Sequence, residues 1–386
     1  MSTPQARLLD DQQRLTVAHQ LGARFGDRLA PSDVRRGRGA ASNATGRFEI
    51  VKREDFDDGW ERDETISPLK TEVTLERPRT IITKNESPDI SFDRSINPYR
   101  GCEHGCVYCY ARPSHAYMGL SAGIDFETKL FYKADAGRLL EAELARPGYV
   151  CKPITIGANT DPYQPVERQM LVTRSVLEVL TRARHPVSII SKSAMVLRDL
   201  DLLIDLARDD LVSVAISVTT LSAQTKRSLE PRTASPQARL KAVRELNAAG
   251  VPTGVMVAPV IPAITDHEME AILEAAAAAG ARWAGYVLLR LPYEIKDLFR
   301  DWLTEHFPDR AAHVMSLIQD MRGGRDNDPR FGSRMRGTGP IAELLRGRFK
   351  LACKRLNLNS GSREIPQHTH LFRPPVVEGS QMTLDF

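Results

Sequence analysis

From about residue 154 onward, two kinds of apolar pattern alternate along the chain. Short runs rich in β-branched residues, at Ile154 to Ala158, Val187 to Ser191, Val212 to Val218, Thr253 to Ala258 and Gly285 to Leu289, read as strands. Between them apolar positions recur at helical spacing. Leu171, Val172, Val176, Val179 and Leu180 share one face; Leu197, Leu200, Leu203, Ile204 and Leu206 share another; Leu240, Val243 and Leu246 form a third, closed by Gly250. Thr265 with Glu268 has the form of a capping box opening a helix that ends before Gly280. Upstream, Ile81-Ile82 and the alternation through Ile90, Phe92 and Ile96 predict extended structure. Strands alternating with helices imply an α/β fold with a parallel sheet, either a complete or partial barrel or an open doubly wound sheet. In each of these, ligands collect at the C-terminal ends of the strands.

Composition sets the limits around this core. The 386 residues, 42% hydrophobic and 26% charged, suffice for one large domain with flanking segments. Residues 1 to about 60 are polar, lack apolar periodicity and contain the basic stretch from Arg35 to Ala40. They read as a poorly ordered leader, either a solvated tail or an arm that contacts nucleic-acid backbone. The core is expected over 61–294, a helical basic extension over 295–356 and a tail over 357–386. No apolar run approaches the ~20 residues that span a bilayer, and the N-terminus lacks a signal-peptide core, so a cytoplasmic protein is expected. The net charge of +4 permits an anionic partner without requiring one.

The densest chemistry lies in Cys102-Glu103-His104-Gly105-Cys106-Val107-Tyr108-Cys109, with three of the five cysteines in eight positions. Such crowding does not suit a disulfide framework. Three thiolates from one loop suit a metal centre with one coordination position left open, such as a four-iron cluster whose fourth iron binds a small molecule beside Tyr108. The competing reading is a structural zinc site recruiting His104 or a distant ligand, although the spacing is unusual and a second CxxC is absent.

CxxxCxxC with an aromatic before the last cysteine resembles the signature of the radical S-adenosylmethionine (SAM) superfamily. That resemblance implies a partial (β/α)6 barrel and a [4Fe-4S] cluster on Cys102, Cys106 and Cys109. The cluster's unique iron would bind SAM, and an electron from a donor would cleave SAM to a 5′-deoxyadenosyl radical that abstracts hydrogen from a substrate. Over roughly 91–294 the chain is similar to the spore photoproduct lyase-like branch, often labelled DNA repair photolyases. The stretches that carry this are Asn159 to Pro165, Ser191-Lys192-Ser193, Leu229 to Arg232, Ala258 to Pro262 and Thr265-Asp266. A nucleic-acid substrate, such as a damaged or modified base, is implied.

On that resemblance, Thr160 and Asp161 can accept from the SAM ammonium or merely form an Asx turn, and Lys192 can pair with the SAM carboxylate or ribose. Ser217 can face the ribose. Glu230 and Arg232 can pair with each other, or Arg232 can fork onto the SAM carboxylate. Pro259 and Pro262 shape the backbone at a strand end. Ala158 and Asn159 occupy the position where spore photoproduct lyase carries its hydrogen-donating cysteine, so the spore lesion is not the expected substrate. Cys151 and Cys353 are read as packing residues, with hydrogen donation as their lesser role. Tyr163, Tyr286 and Tyr293 can relay a radical or simply pack.

Two further features bear on partners. Ten basic residues between Arg322 and Arg355 are opposed locally by only Asp326, Asp328 and Glu343, and Phe331 and Phe349 interleave with them, so stacking on unpaired bases is available. The terminal Gln381-Met382-Thr383-Leu384-Asp385-Phe386 resembles the QLxLxF peptide that docks on the bacterial sliding clamp, with Gln381, Met382, Leu384 and Phe386 as anchors. The alternatives to an enzyme are an iron–sulfur nucleic-acid-binding or clamp-associated protein without SAM turnover, and a structural zinc protein.

Overall fold

A computed structural model describes residues 37–49, 69–361, 366 and 368–376. The ten strands in chain order are β1 (Glu72–Leu75), β2 (Ile82–Lys84), β3 (Arg94–Ile96), β4 (Tyr99–Arg100), β5 (Lys129–Tyr132), β6 (Ile154–Ile156), β7 (Val187–Ser191), β8 (Val212–Ser217), β9 (Thr253–Val260) and β10 (Trp283–Leu288). Seven form the main sheet in the order β10-β9-β8-β7-β6-β3-β2. Six of these run parallel, and β2 lies antiparallel to β3 at one edge.

The spatial order of the parallel strands follows the sequence without reversal. Right-handed crossovers that always step in one direction put their helices on one face, so the sheet curls instead of being wound on both sides. With β2 and β10 as edges that do not pair with each other, the result is a partial (β/α)6 barrel. The two edges are bridged by the segment that carries Arg334 and Met335. Arg334 donates to Asp89 and Ser87 in the β2–β3 connection, and Leu288 at the end of β10 donates to the Met335 carbonyl at 3.0 Å. A second sheet of three strands, β1-β5-β4, flanks the loop that follows β3.

The apolar pattern explains why these elements form. Val187–Ser191 and Val212–Ser217 are buried along almost their whole length, as continuous β-branched runs in a doubly covered parallel sheet should be. The helices Val172–Arg182 and Pro236–Ala248 bury most of the stripes read from their sequences, but Leu171 is the exposed, left-handed N-cap of the first and Leu240 of the second is only partly buried. The stripe from Leu197 to Leu206 is divided between a 3-10 turn, Ala194–Asp199, and the helix Leu200–Ala207.

The capping box at Thr265 does not form. Thr265 Oγ1 accepts from the Ile261 N–H at 3.0 Å, and Glu268 instead takes the Thr220 hydroxyl and the Leu221 N–H, each at 2.6 Å, to brace the turn after β8. The Ala258–Pro259 peptide is cis. Among the described residues no helix is long and apolar enough to cross a membrane.

Residues 37–49 correct the expectation of a disordered leader running to about 60. Arg38, Gly39, Ala40, Ala41, Ser42 and Asn43 are buried against the cysteine loop and its neighbour, the helix Ile124–Thr128. A Cβ on Gly39 would lie 1.7 Å from the Gly105 carbonyl oxygen, so only glycine permits the two backbones to approach this closely. Helices Ile295–His306, Ala311–Asp320 and Gly339–Arg355 make up the C-terminal extension, with the irregular stretch 321–338 between the last two.

His185 gives the fold a pH-sensitive point. The ring is buried, with Nδ1 3.0 Å from the Pro186 carbonyl, to which it donates, and Nε2 2.9 Å from the Tyr149 hydroxyl. Burial, helped by nearby Arg94, pushes the imidazole from 6.5 down to about 4. The unfolded chain therefore binds the extra proton first, so stability is full above pH 6.5 and falls as pH drops toward about 4. Urea unfolding at pH 7 and pH 4.5 should show His185→Gln losing less stability on acidification than the wild type. Equal losses would refute this role.

Candidate cofactor site

The cysteine loop leaves β4 at the C-terminal end of the barrel strands and is held from all sides. Arg112 is fully buried. It donates to the Cys106 carbonyl (2.9 Å), to the Ala122 and Gly123 carbonyls (3.1 and 2.9 Å) and to Glu127. Glu127, also fully buried, receives the Gly39 and Ala40 N–H groups at 2.9 and 2.8 Å. The loop's other flank is clamped by Gln164, which accepts from the Glu103 N–H at 2.9 Å and donates to the Gly101 carbonyl at 3.1 Å. Val107 donates to Leu229 and Arg232 to the His104 carbonyl, tying the loop to the segment after β8.

Cys102 and Cys106 are buried and Cys109 is half-buried. Burial pushes all three thiols up, and for Cys102 the neighbouring charge of Asp161 and then of the other two cysteines adds to the rise. Thiols this desolvated are poor thiolates unless a strong cation shares their volume, a condition that a bound metal centre would meet. Among the described residues, no group of three or more His, Cys, Asp and Glu side chains closes on one point as a single ion requires. His104, the candidate fourth zinc ligand, is buried with Nδ1 3.3 Å from Asp161 Oδ2. Three thiols from one loop are the donor set that an iron–sulfur cluster with one open iron takes.

The wall facing the loop is built around Glu230, which is fully buried. It accepts from the Tyr108 hydroxyl, from Thr219 Oγ1 at 2.7 Å and from Arg239, and Lys192 Nζ lies 3.6 Å away. Burial alone would raise this carboxyl. Arg239 first, then Lys192 and the Tyr108 hydroxyl, outweigh it and hold Glu230 well below the usual carboxylate range. Lys192 Nζ also donates to the Ala258 carbonyl at 2.9 Å and lies 5.7 Å from the centre of the Tyr108 ring.

The residues expected to face the cofactor divide into two groups. Tyr108, Lys192 and Glu230 converge on one wall beside Cys106. Ser217, the last residue of β8, is buried, and its carbonyl accepts from Arg239 at 2.9 Å. Thr160 Oγ1 donates to the Tyr99 carbonyl at 2.9 Å. Both Asp161 oxygens already have partners: Oδ1 takes Tyr163 N–H and Ser191 Oγ, and Oδ2 takes Lys192 N–H and faces His104. Asp161 therefore splints the cysteine loop to the end of β7. The Glu230–Arg232 pair does not form. Glu230 bonds Arg239, whereas Arg232 Nη2 lies 3.2 Å from Glu103 Oε1.

Arg239, Arg112 and Glu127 were not foreseen. Arg239 had a signal, since it interrupts an apolar stripe with Ala242, Val243 and Leu246, where a charge must be buried and paired. Arg112 and Glu127 carry no comparable mark.

The remaining candidates lie elsewhere. Cys151 precedes β6, at the end of the sheet opposite the loop, and Cys353 lies in the main core; burial pushes each thiol up to about 11. The Tyr163 hydroxyl is fixed on Asp199 at 3.1 Å, Tyr286 packs on Phe349 at 4.7 Å between ring centres, and Tyr293 is exposed. Phe349 is thus a core residue and not a stacking platform. The basic extension is also less bare than its sequence suggests, because Arg334, Arg348 and Arg355 pair with Asp89, Glu270 and Glu274 from outside it. Gln381, Met382, Leu384 and Phe386 lie outside the described residues.

Residues 96–276 match the profile of the Radical SAM superfamily, and the chain belongs to that superfamily. An uncharacterised protein of Mycobacterium tuberculosis is 32% identical over 289 residues, which span 74% of this chain and 81% of that protein. A protein named radical SAM Nα-GlyT isomerase, of Pseudomonas phage M6, is 25% identical over 234 residues, covering 59% of this chain and 46% of its own length. Among solved structures, spore photoproduct lyase complexed with dinucleoside spore photoproduct superposes with a TM-score of 0.53 at 16% identity, covering 74% of this chain and 79% of that one. That likeness establishes a shared fold.

Replacing Arg239 with Met strands the Glu230 charge in the interior. Urea denaturation should show a loss of about 3–5 kcal/mol, typical of a buried ion pair missing one partner. Adding Glu230→Gln should restore part of it. If the double variant is no more stable than R239M, Glu230 is not the centre of this wall.

Proposed function

We propose that this radical SAM enzyme acts on nucleic acid, at a damaged or modified base. Cys102, Cys106 and Cys109 would hold a [4Fe-4S] cluster, with SAM lying between the loop and the Glu230 wall. The observation that supports this reading is one loop carrying three cysteines, two buried and one half-buried, beside the Tyr108–Glu230–Lys192 network at the C-terminal ends of the strands. When bound, the cluster and SAM together supply the radical that abstracts hydrogen from the substrate.

The chain's own residues prepare that space. Arg112, Glu127 and Gln164 fix the loop that carries the three thiols. Glu230 orients Tyr108 and holds Lys192 beside it, where an ammonium can meet the SAM carboxylate. Thr160 and Ser217 line the strand ends nearby, and Arg232 lies at the outer margin. Asp161 acts by holding His104 and the end of β7. The nucleic-acid substrate is supported by the shared fold with spore photoproduct lyase and by the arginine-rich segments around the opening.

Anaerobic reconstitution should load about four irons and four sulfides per chain, and reduction with SAM present should release 5′-deoxyadenosine. Cysteine-to-alanine changes at 102, 106 or 109 should abolish both. Stoichiometric zinc, or a fully loaded and reduced protein that leaves SAM intact, would refute the assignment. Docking of Gln381 to Phe386 on a bacterial sliding clamp belongs to the same reading and rests on sequence alone. Purified clamp should bind the full chain and not one ending at Ser380, and equal binding would remove the clamp as a partner.

A further inference from the structure

Five aromatic rings among the described residues are more than half exposed: Phe48, Tyr110, Tyr117, Tyr293 and Phe331. Every one has an arginine over its ring. Arg47 lies 4.7, 5.4 and 4.2 Å from the centres of Phe48, Tyr117 and Tyr293. Arg290 lies 5.9 Å from Tyr110, and Arg334 lies 4.5 Å from Phe331. The rings also share a location. Tyr110 directly follows Cys109, and Tyr117 belongs to the 3-10 helix Arg112–Met118. Arg290 and Tyr293 lie in the connection after β10, and Phe331 is in the segment whose Met335 carbonyl bonds the end of that strand.

Two of the arginines are fixed by acids, Arg47 by Glu294 at 2.9 Å and Arg334 by Asp89. Arg290 differs. Among the described residues it bonds no carboxylate; its Nη1 reaches only Met335 Sδ at 3.7 Å, and its buried Nε has no partner. Part-buried beside Arg322 and Arg334, with a nearby carboxylate, Asp89, that is already bonded to Arg334 and the Gly332 N–H, this guanidinium keeps donors for an anion supplied from outside. Rigid rings covered by guanidinium planes are suited to flat bases. An aliphatic partner would make no use of the cations. Arg290 and Tyr293, three residues apart, are at most about 11 Å apart along the chain, roughly three stacked base steps.

We propose that these two arginine–aromatic clusters, joined by the 290–293 connection, form a rim that holds a single-stranded or locally opened stretch of nucleic acid, with bases on the rings and a phosphate on Arg290. This rests on the reading of the enzyme as directed at nucleic acid. It goes further by assigning the residues that grip the strand and by requiring its bases to be unpaired.

The test uses full-length, anaerobically reconstituted protein and fluorescence anisotropy with a labelled single-stranded oligonucleotide, its blunt duplex and an abasic strand of equal length. The single strand should bind at least about tenfold more tightly than the other two. Tyr117→Leu and Phe331→Leu, one from each cluster, should each weaken it about 5- to 100-fold, and Arg290→Gln should lower the salt slope by about one. Equal affinity for the abasic strand, or unchanged affinity in the ring variants, overturns the rim and favours a protein-docking surface. SAM cleavage without oligonucleotide, measured on the same samples, separates the two readings. Cleavage without strand binding removes the rim alone, and strand binding without cleavage removes the cofactor assignment alone. Wild-type cleavage by the Tyr117→Leu and Phe331→Leu proteins shows that the ring changes did not act through misfolding.

Discussion

The buried pair of Arg112 and Glu127 is the constraint on which the site depends. Neither side chain is exposed to solvent, so each charge needs the other and a full set of hydrogen bonds. Those bonds reach four parts of the chain: the Cys106 carbonyl, the turn at Ala122 and Gly123, the helix that carries Glu127, and the backbone of Gly39 and Ala40. A loop with three cysteines and a glycine at positive φ has little stiffness of its own. Its shape is imposed by charges that cannot be separated cheaply.

A second buried charge organises the opposite wall in the same way. Glu230 holds Arg239 from a crossover helix, Lys192 from the end of β7 and Tyr108 from the loop itself. Asp161 does comparable work between His104 and the end of β7. Two carboxylates that looked like cofactor ligands are thus mainly internal struts. Their neighbours Tyr108 and Lys192 are the groups that, on the proposed reading, would meet SAM.

The sheet was legible because its strands are buried and rich in β-branched residues; Val187 to Ser191 appears with the predicted limits. The cysteine loop was legible because its ligands are adjacent in sequence. What escaped depends on contacts between distant residues. Glu268 satisfies the capping-box pattern, yet its carboxylate lies beside the turn at Thr220, 48 positions earlier. Arg334, Arg348 and Arg355 look unopposed until the fold brings Asp89, Glu270 and Glu274 to them. Residues 38–43 have no apolar period to betray burial, since they are buried through small residues, the Arg38 guanidinium and N–H groups aimed at Glu127.

The close approach of Gly39 to Gly105 also bears on the order of assembly. The acceptor for the Gly39 N–H is 88 positions further along the chain. A polypeptide emerging from the ribosome presents its N-terminal segment first, long before that acceptor exists, so the segment takes its place behind the loop only after the cysteines and Glu127 have both appeared. Until then the thiols face a space without its rear wall.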